Sequence, residues 1–225
     1  MTPTRVHPGA PDTAQPPPPA RWFADALDDL HQRVSPAGLV PSPTGHVLAS
    51  TAALPTAPPG PLARFGIAVL PAATRDAASA PPNPTPGHGG RVRPTTIAPA
   101  VAEEFAVGLL DLHRRLLHEV LRHTLRHLGA RESDGVTLLA RQLVQAQLAE
   151  VAIRLAEVGA TPGPRRDDDA AARWRTHRRL VGVGRDLLRL LGASGFLVDG
   201  PAGDLHLTEV VGNVYLHPGR GQDDD

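Results

Sequence analysis

Apolar residues in the second half of the chain recur every three or four positions, which is the spacing of an amphipathic helix. The clearest stripe runs through residues 99–129 and predicts one long helix. Its members are Leu109, Leu112, Leu116 and Val120. Pro99 suits the first turn of such a helix and Gly129 suits its C-terminal stop.

Three further helices are predicted downstream, over residues 136–158, from after the acidic run 167–169 to Leu191, and over 202–216. Their inward positions are Leu139, Leu143, Leu148, Val151 and Leu155, followed by Trp174, Leu180, Leu187 and Leu191. Compact links join the helices. The pattern therefore predicts a mainly α protein with an up-and-down four-helix bundle over residues 97–219.

The first half of the chain differs in composition from the second, since 21 of the 25 prolines lie in residues 1–100. We expect a disordered Pro-rich tail over 1–20 and a largely irregular segment over 21–96. Within that segment, 21–34 has the spacing of a short helix, and the apolar runs 45–54 and 63–72 resemble remnant strands. Residues 220–225 form an acidic tail.

Composition removes several classes of function. The formal net charge is zero and no basic patch is evident, so we expect no nucleic-acid partner. No apolar run reaches the 18 residues of a membrane span, and the N-terminus lacks a signal core. The absence of cysteine excludes disulfides and thiol chemistry, and it fits a cytoplasmic protein.

Glu119, His123 and His127 recur at intervals of four on the first bundle helix. Two histidines one turn apart can clamp a metal ion when a third ligand arrives. These positions also continue the apolar stripe, which favours half-buried histidines that bond to neighbouring groups. We therefore predict no metal site.

The run LLGASGF, residues 190–196, places Gly192 and Gly195 around small residues between two helices. Such glycines let a backbone approach a neighbouring helix or a phosphate group. A turn that simply ends the helix accounts for them equally well, so both interpretations stay open.

The stretch RESDGVTLLARQLVQAQLAE, residues 131–150, resembles the C-terminal helical bundle of the acyl-CoA dehydrogenase family. The family pattern falls on Arg131, Gly135, Gln142 and then Leu148-Ala149-Glu150. Upstream, HTLRHLGARESDG is similar to the first bundle helix of the family. Downstream, LLGASGF looks like its Gly-Gly-x-Gly turn with Ala193 in place of the second glycine. The likeness covers residues 98–216 and is that of a truncated, divergent member.

The resemblance implies a FAD-dependent α,β-dehydrogenation of an acyl-CoA or acyl-carrier thioester. By the family pattern, the cofactor-binding residues would be Arg131, Gly135, Gln142 and Gly192. An arginine fork suits pyrophosphate oxygens, and a glycine permits close backbone approach. Such bundles work in homo- or hetero-oligomers.

The chain also departs from the family. Asp134 stands where an aromatic is usual, and Arg189 replaces a glutamine before the turn. The Glu-Gly-Thr base motif aligns with Val211-Gly212-Asn213, which leaves Glu209 and Glu104 as displaced catalytic candidates.

Most of the two domains that precede the bundle in that family is also missing. We therefore expect activity only together with a longer acyl-CoA dehydrogenase-like partner subunit. The alternative is a non-catalytic helical scaffold for oligomerisation, with vestigial flavin contacts.

Overall fold

The computed structural model describes residues 22–71, 97–160, 170–196 and 200–218, and it is mainly helical, as the sequence predicts. The helices are α1 (Trp22–Val34), α2 (Pro99–Gly129), α3 (Gln142–Ala160), α4 (Ala170–Leu191) and α5 (Pro201–Leu216). The strands are β1 (His46–Ser50), β2 (Ile67–Pro71), β3 (Glu132–Ser133) and β4 (Val136–Thr137). The expected tails at 1–20 and 220–225, and the acidic run 167–169, lie outside the described residues.

Helix α4 lies at the centre of the bundle and packs against α2, α3 and α5. The leucines that predicted α2 and α4 are buried, among them Leu112, Leu180 and Leu187. Each such side chain contributes about 1.5–3 kcal/mol when it leaves water. The 3.6-residue stripes therefore identify the faces on which these two helices meet.

Helix α3 begins six residues later than the sequence predicts, at Gln142 rather than at Val136. Asp134 and Gly135 have φ values of 54° and 75°, which makes them the two central residues of a type I′ hairpin turn between β3 and β4. An Asp-Gly pair adopts those angles readily, so turn chemistry prevails over helical periodicity here.

The expected inward position Leu143 is also wrong, since its side chain is 71% exposed. Helix α3 reaches the core through Leu148, Val151 and Leu155, which are buried and lie on the side that packs against α4. Leu143 precedes that contact by more than one helical turn. Only the middle and later part of α3 therefore contributes apolar side chains to the core, although apolar residues begin earlier in the helix.

The segment 22–71 shares the core of the bundle. Phe23, Leu27 and Leu48 belong to the same buried cluster as Phe105 of α2. Strands β1 and β2 lie within the apolar runs 45–54 and 63–72 and pair antiparallel, with His46 opposite Pro71. Helix α1 packs against α2, β1 and α5. This N-terminal segment is thus an integral layer on the bundle.

Two buried side chains fasten β1 to the helices. His31 donates from Nε2 to the carbonyl of Leu48 (2.9 Å), and its Nδ1 accepts from the amide of Val40 (3.1 Å). The Tyr215 hydroxyl accepts from the Leu48 amide (3.1 Å) and donates to the Val40 carbonyl (3.0 Å). Burial raises the pKa of Tyr215. Helices α1 and α5 therefore satisfy backbone groups of the strand layer that would otherwise be buried without partners.

Candidate functional site

The C-terminal end of α2 and the turn after α4 meet at one end of the bundle, and His127 lies at the meeting point. The Ser194 hydroxyl is 3.1 Å from His127 Nε2, and it also donates to the carbonyl of Leu191 (2.7 Å). Arg131 Nη1 lies 3.4 Å from the same imidazole nitrogen. The structure therefore brings Arg131 and the 192–196 turn together through a histidine side chain.

Arg131 places an exposed positive charge beside His127. Partial burial and the Arg131 charge lower the pKa of His127. Burial, followed by His127 and Arg126, lowers the pKa of His123, and the two imidazoles stack with 6.3 Å between ring centroids. Both histidines are therefore neutral at neutral pH, and the cluster presents one cation beside neutral hydrogen-bonding groups.

The two glycines of the turn have structural reasons of their own. Gly192 has a φ of 60° and follows the last residue of α4, which is the left-handed position that commonly ends a helix. A Cβ on Gly195 would stand 2.7 Å from the carbonyl oxygen of Leu188. A helix-stopping turn therefore explains both glycines, although Gly192 itself is exposed, with open space where a side chain would be.

Gly135 is likewise explained by its turn. The neighbouring carboxylate of Asp134 accepts from Arg141 Nη2 (3.1 Å), and the same arginine donates to the Ser133 carbonyl (2.6 Å). Arg141 therefore pairs with the negative charge of Asp134, which would otherwise repel a phosphate group bound nearby. Gln142 is exposed at the start of α3.

Within the described residues, no hydrogen bond or ion pair joins Gln142 to Arg131. The expected cofactor set is thus only partly assembled by side-chain contacts, with Arg131 beside the turn that holds Gly192.

Neither of the two candidate catalytic bases, Glu104 and Glu209, contacts the cluster of Arg131, His127 and Ser194. Glu104 is exposed near the start of α2, 23 positions before His127, which is about 35 Å along the helix axis. Glu209 on α5 accepts from Arg185 Nη2 at 2.5 Å, so its carboxylate is already paired. Gly212, which aligns with the glycine of the family base motif, packs on the ring of His177.

The contact between His127 and Ser194 was not predicted from the sequence. Arg131 follows His127 by four residues, so their closeness in sequence was a signal, although Arg131 lies just beyond the end of α2 at Gly129. Ser194 carried no such signal, because its position depends on where α4 ends relative to α2. In the described ranges, no three His, Cys, Asp or Glu side chains group as metal ligands. Those same ranges contain no helix with the length and apolarity to cross a membrane.

No protein-family model matches the sequence, and no curated protein matches it. Among solved structures, the chain is similar to a steroid acyl-CoA dehydrogenase, Tcur3481-Tcur3483, in a glycine-to-alanine variant. The match has 25% sequence identity and a TM-score of 0.41, and it covers 51% of this chain and 35% of the other. The chain thus spans about a third of the length of the structure that it matches.

Proposed function

We propose that this chain is an acyl-CoA dehydrogenase-like bundle subunit that supplies Arg131 to the phosphate end of a FAD. A longer partner subunit completes the site, and the complex dehydrogenates an acyl-CoA or acyl-carrier thioester between its α and β carbons. The observation that carries the proposal is the contact of Arg131, His127 and Ser194, which joins two of the family-like motifs at one end of the bundle.

The chemistry of this cluster suits a pyrophosphate. The exposed guanidinium of Arg131 offers a planar fork of donors that matches two phosphate oxygens. The neutral His127 adds hydrogen-bonding capacity without a competing charge. Gly192 leaves its backbone open to close approach. These residues fit one edge of a flavin dinucleotide, and the partner would hold the ring.

A bound flavin supplies the acceptor for the β hydride. The α proton needs a carboxylate base, and of the described residues neither catalytic candidate, Glu104 or Glu209, contacts the cluster. Glu209 is paired with Arg185, and Glu104 lies about 35 Å from His127 along α2. We therefore assign the base to the partner subunit and a cofactor-positioning role to Arg131.

The second candidate, a non-catalytic scaffold, is favoured by specific observations. Turn geometry alone explains Gly135 and Gly192. Arg131 follows the C-terminal end of α2, where the helix dipole favours any cation. The paired carboxylate of Glu209 also fits a chain without its own proton acceptor.

Co-expression with a full-length acyl-CoA dehydrogenase-like subunit encoded beside it separates the two candidates. The proposed function predicts a stable complex that carries bound flavin, seen in its visible absorption spectrum. Arg131→Ala should lower the flavin content while the complex persists. Arg126→Ala, an exposed arginine on the last turns of α2, is the matched control and should retain flavin. A complex whose flavin content does not depend on Arg131 supports the scaffold, and the absence of any complex overturns the proposed function.

A further inference from the structure

The solvent-facing side of α4 is lined by arginine side chains. Every exposed residue of this helix is an arginine, and the set comprises Arg175, Arg178, Arg179, Arg185 and Arg189. Arg185 pairs with Glu209, and Arg189 pairs with Asp186. The zero formal net charge of the whole chain therefore conceals one positively charged helix face.

The three arginines in the N-terminal half of α4 form a cluster without acidic partners. Within the described ranges, no carboxylate makes an ion pair with Arg175, Arg178 or Arg179. Arg178 and Arg179 follow Arg175 by three and four positions, so the three side chains are neighbours on the helix surface. Like charges at these intervals repel one another, and this cluster therefore favours an anionic occupant.

Trp174 connects the arginine cluster to the end of α5. Its ring centroid lies 5.7 Å from Cζ of Arg178 and 4.8 Å from the ring centroid of His217. His217 directly follows α5, and this described range ends one residue later, at Pro218. The chain beyond Pro218 therefore starts about one aromatic ring away from the arginines.

The residues that follow have a charge opposite to that of the cluster. Residues 219–225 lie outside the described residues, and their sequence, GRGQDDD, contains three consecutive aspartates. Asp223 is five positions after Pro218, and five extended residues span about 17 Å. Arg179 is five positions after Trp174, which is about 7.5 Å along the helix axis. The aspartates are therefore within reach of all three arginines.

We propose that the aspartates of residues 223–225 bind to the arginine cluster on α4 of the same chain. A guanidinium group donates charge-assisted hydrogen bonds to carboxylates, often two at a time. Each exposed pair is weak, but the short connection to α5 gives the aspartates an effective concentration on the order of millimolar. A separate acidic peptide also loses translational freedom when it binds, which favours the tethered segment. The bound aspartates cover the positive face, so an anionic partner has to displace them.

A nitroxide label at one position measures this contact in the full chain. The chain has no cysteine, so Gln222→Cys gives a single labelling site, and broadening of backbone amide signals reports which residues the label approaches. At about 20 mM salt we expect strong broadening over residues 175–179, and at about 500 mM salt much less, because screening weakens exposed ion pairs. Changing Asp223, Asp224 and Asp225 together to Asn should lower the ratio of bound to free segment about tenfold, as expected for three exposed ion pairs.

Two pairs of arginine substitutions locate the binding surface. Arg178→Gln with Arg179→Gln should reduce the broadening as the Asp→Asn variant does. Arg122→Gln with Arg126→Gln removes the same charge from exposed positions of α2 and should leave the broadening unchanged.

A segment that is only tethered near α4 would broaden the same signals equally at both salt concentrations and in the Asp→Asn variant, and this result overturns the proposal. Broadening that survives Arg178→Gln with Arg179→Gln also overturns it, because the aspartates would then bind elsewhere. Arg131 lies near the turn that follows the C-terminal end of α4, so flavin binding there is a separate test.

Discussion

Acidification should destabilise the protein in large part by forcing a proton onto His113. Its imidazole is 3% exposed in the core between α2 and α4, and burial followed by His177 lowers its pKa to about 3, from 6.5 in the unfolded chain. The folded state therefore binds fewer protons than the unfolded state between these values. The stability that this group contributes is complete above 6.5 and is lost as the pH falls towards 3.

The magnitude follows from the size of that interval. Each pH unit below 6.5 removes about 1.4 kcal/mol, so the loss from this group is about 2 kcal/mol by pH 5. Over the whole interval of about 3.5 units it approaches about 5 kcal/mol. His113→Leu removes the titrating group and leaves an apolar side chain of similar size, so this part of the acid sensitivity should disappear.

Urea unfolding of the wild type and of His113→Leu at about pH 7, 6 and 5 measures the effect. The difference between the two free energies of unfolding should shift by about 2 kcal/mol in favour of the variant between pH 7 and pH 5. His118→Leu, on the exposed side of the same helix, should follow the wild type. A pH-independent difference between wild type and His113→Leu would refute the buried, neutral state of His113.

Other substitutions probe the packing and the remaining buried polar groups. Gly212→Ala places a methyl group on the buried ring of His177 and should cost about 3 kcal/mol in thermal unfolding, whereas Gly182→Ala has open space on α4 and should add about 0.5–1 kcal/mol. Tyr215→Phe strips partners from two buried backbone groups, so a loss of about 2–4 kcal/mol in urea unfolding is expected, and a loss below about 1 kcal/mol would contradict the β1 fastening. Asp204 is buried, and burial raises its pKa to about 6, so its ionisation lowers stability as pH rises from 4 to above 6. Asp204→Asn should therefore gain up to about 3 kcal/mol on wild type over that range, and equal pH profiles would rule this out.

The helices of the bundle could be predicted because each has an apolar face with a 3.6-residue period. Helix α2 begins at Pro99 and ends at Gly129, as the sequence indicates. The start of α3 could not be predicted from periodicity, because Val136, Leu138 and Leu139 continue the apolar pattern although they lie in β4 and a short 3-10 turn. The 3.6-residue spacing shows that one face of a helix is apolar, but it does not show whether another element covers that face. Leu143 was therefore predicted to be buried although its side chain is exposed.

The long-range polar contacts were beyond sequence reasoning for a different reason. The bond between Tyr215 and Val40 joins positions 175 residues apart, and neither residue stands in a pattern. At the candidate site, the sequence alone shows that His127 and Arg131 are four residues apart and therefore close to each other. The approach of Ser194 depends on how α4 packs against α2, which only the assembled core determines. The absence of a hydrogen-bond partner for His113 Nδ1 among the described residues likewise emerges only from three-dimensional packing.

The central claim is that Arg131 contributes to a flavin site shared with a partner subunit. The most direct measurement is the dissociation constant of FAD for the purified complex, by flavin fluorescence, with wild-type chain and with Arg131→Ala. Loss of charge-assisted hydrogen bonds to pyrophosphate should weaken FAD about 10- to 100-fold, while Arg126→Ala leaves it unchanged. Equal affinities for wild type and Arg131→Ala would contradict the claim and leave the bundle as a scaffold.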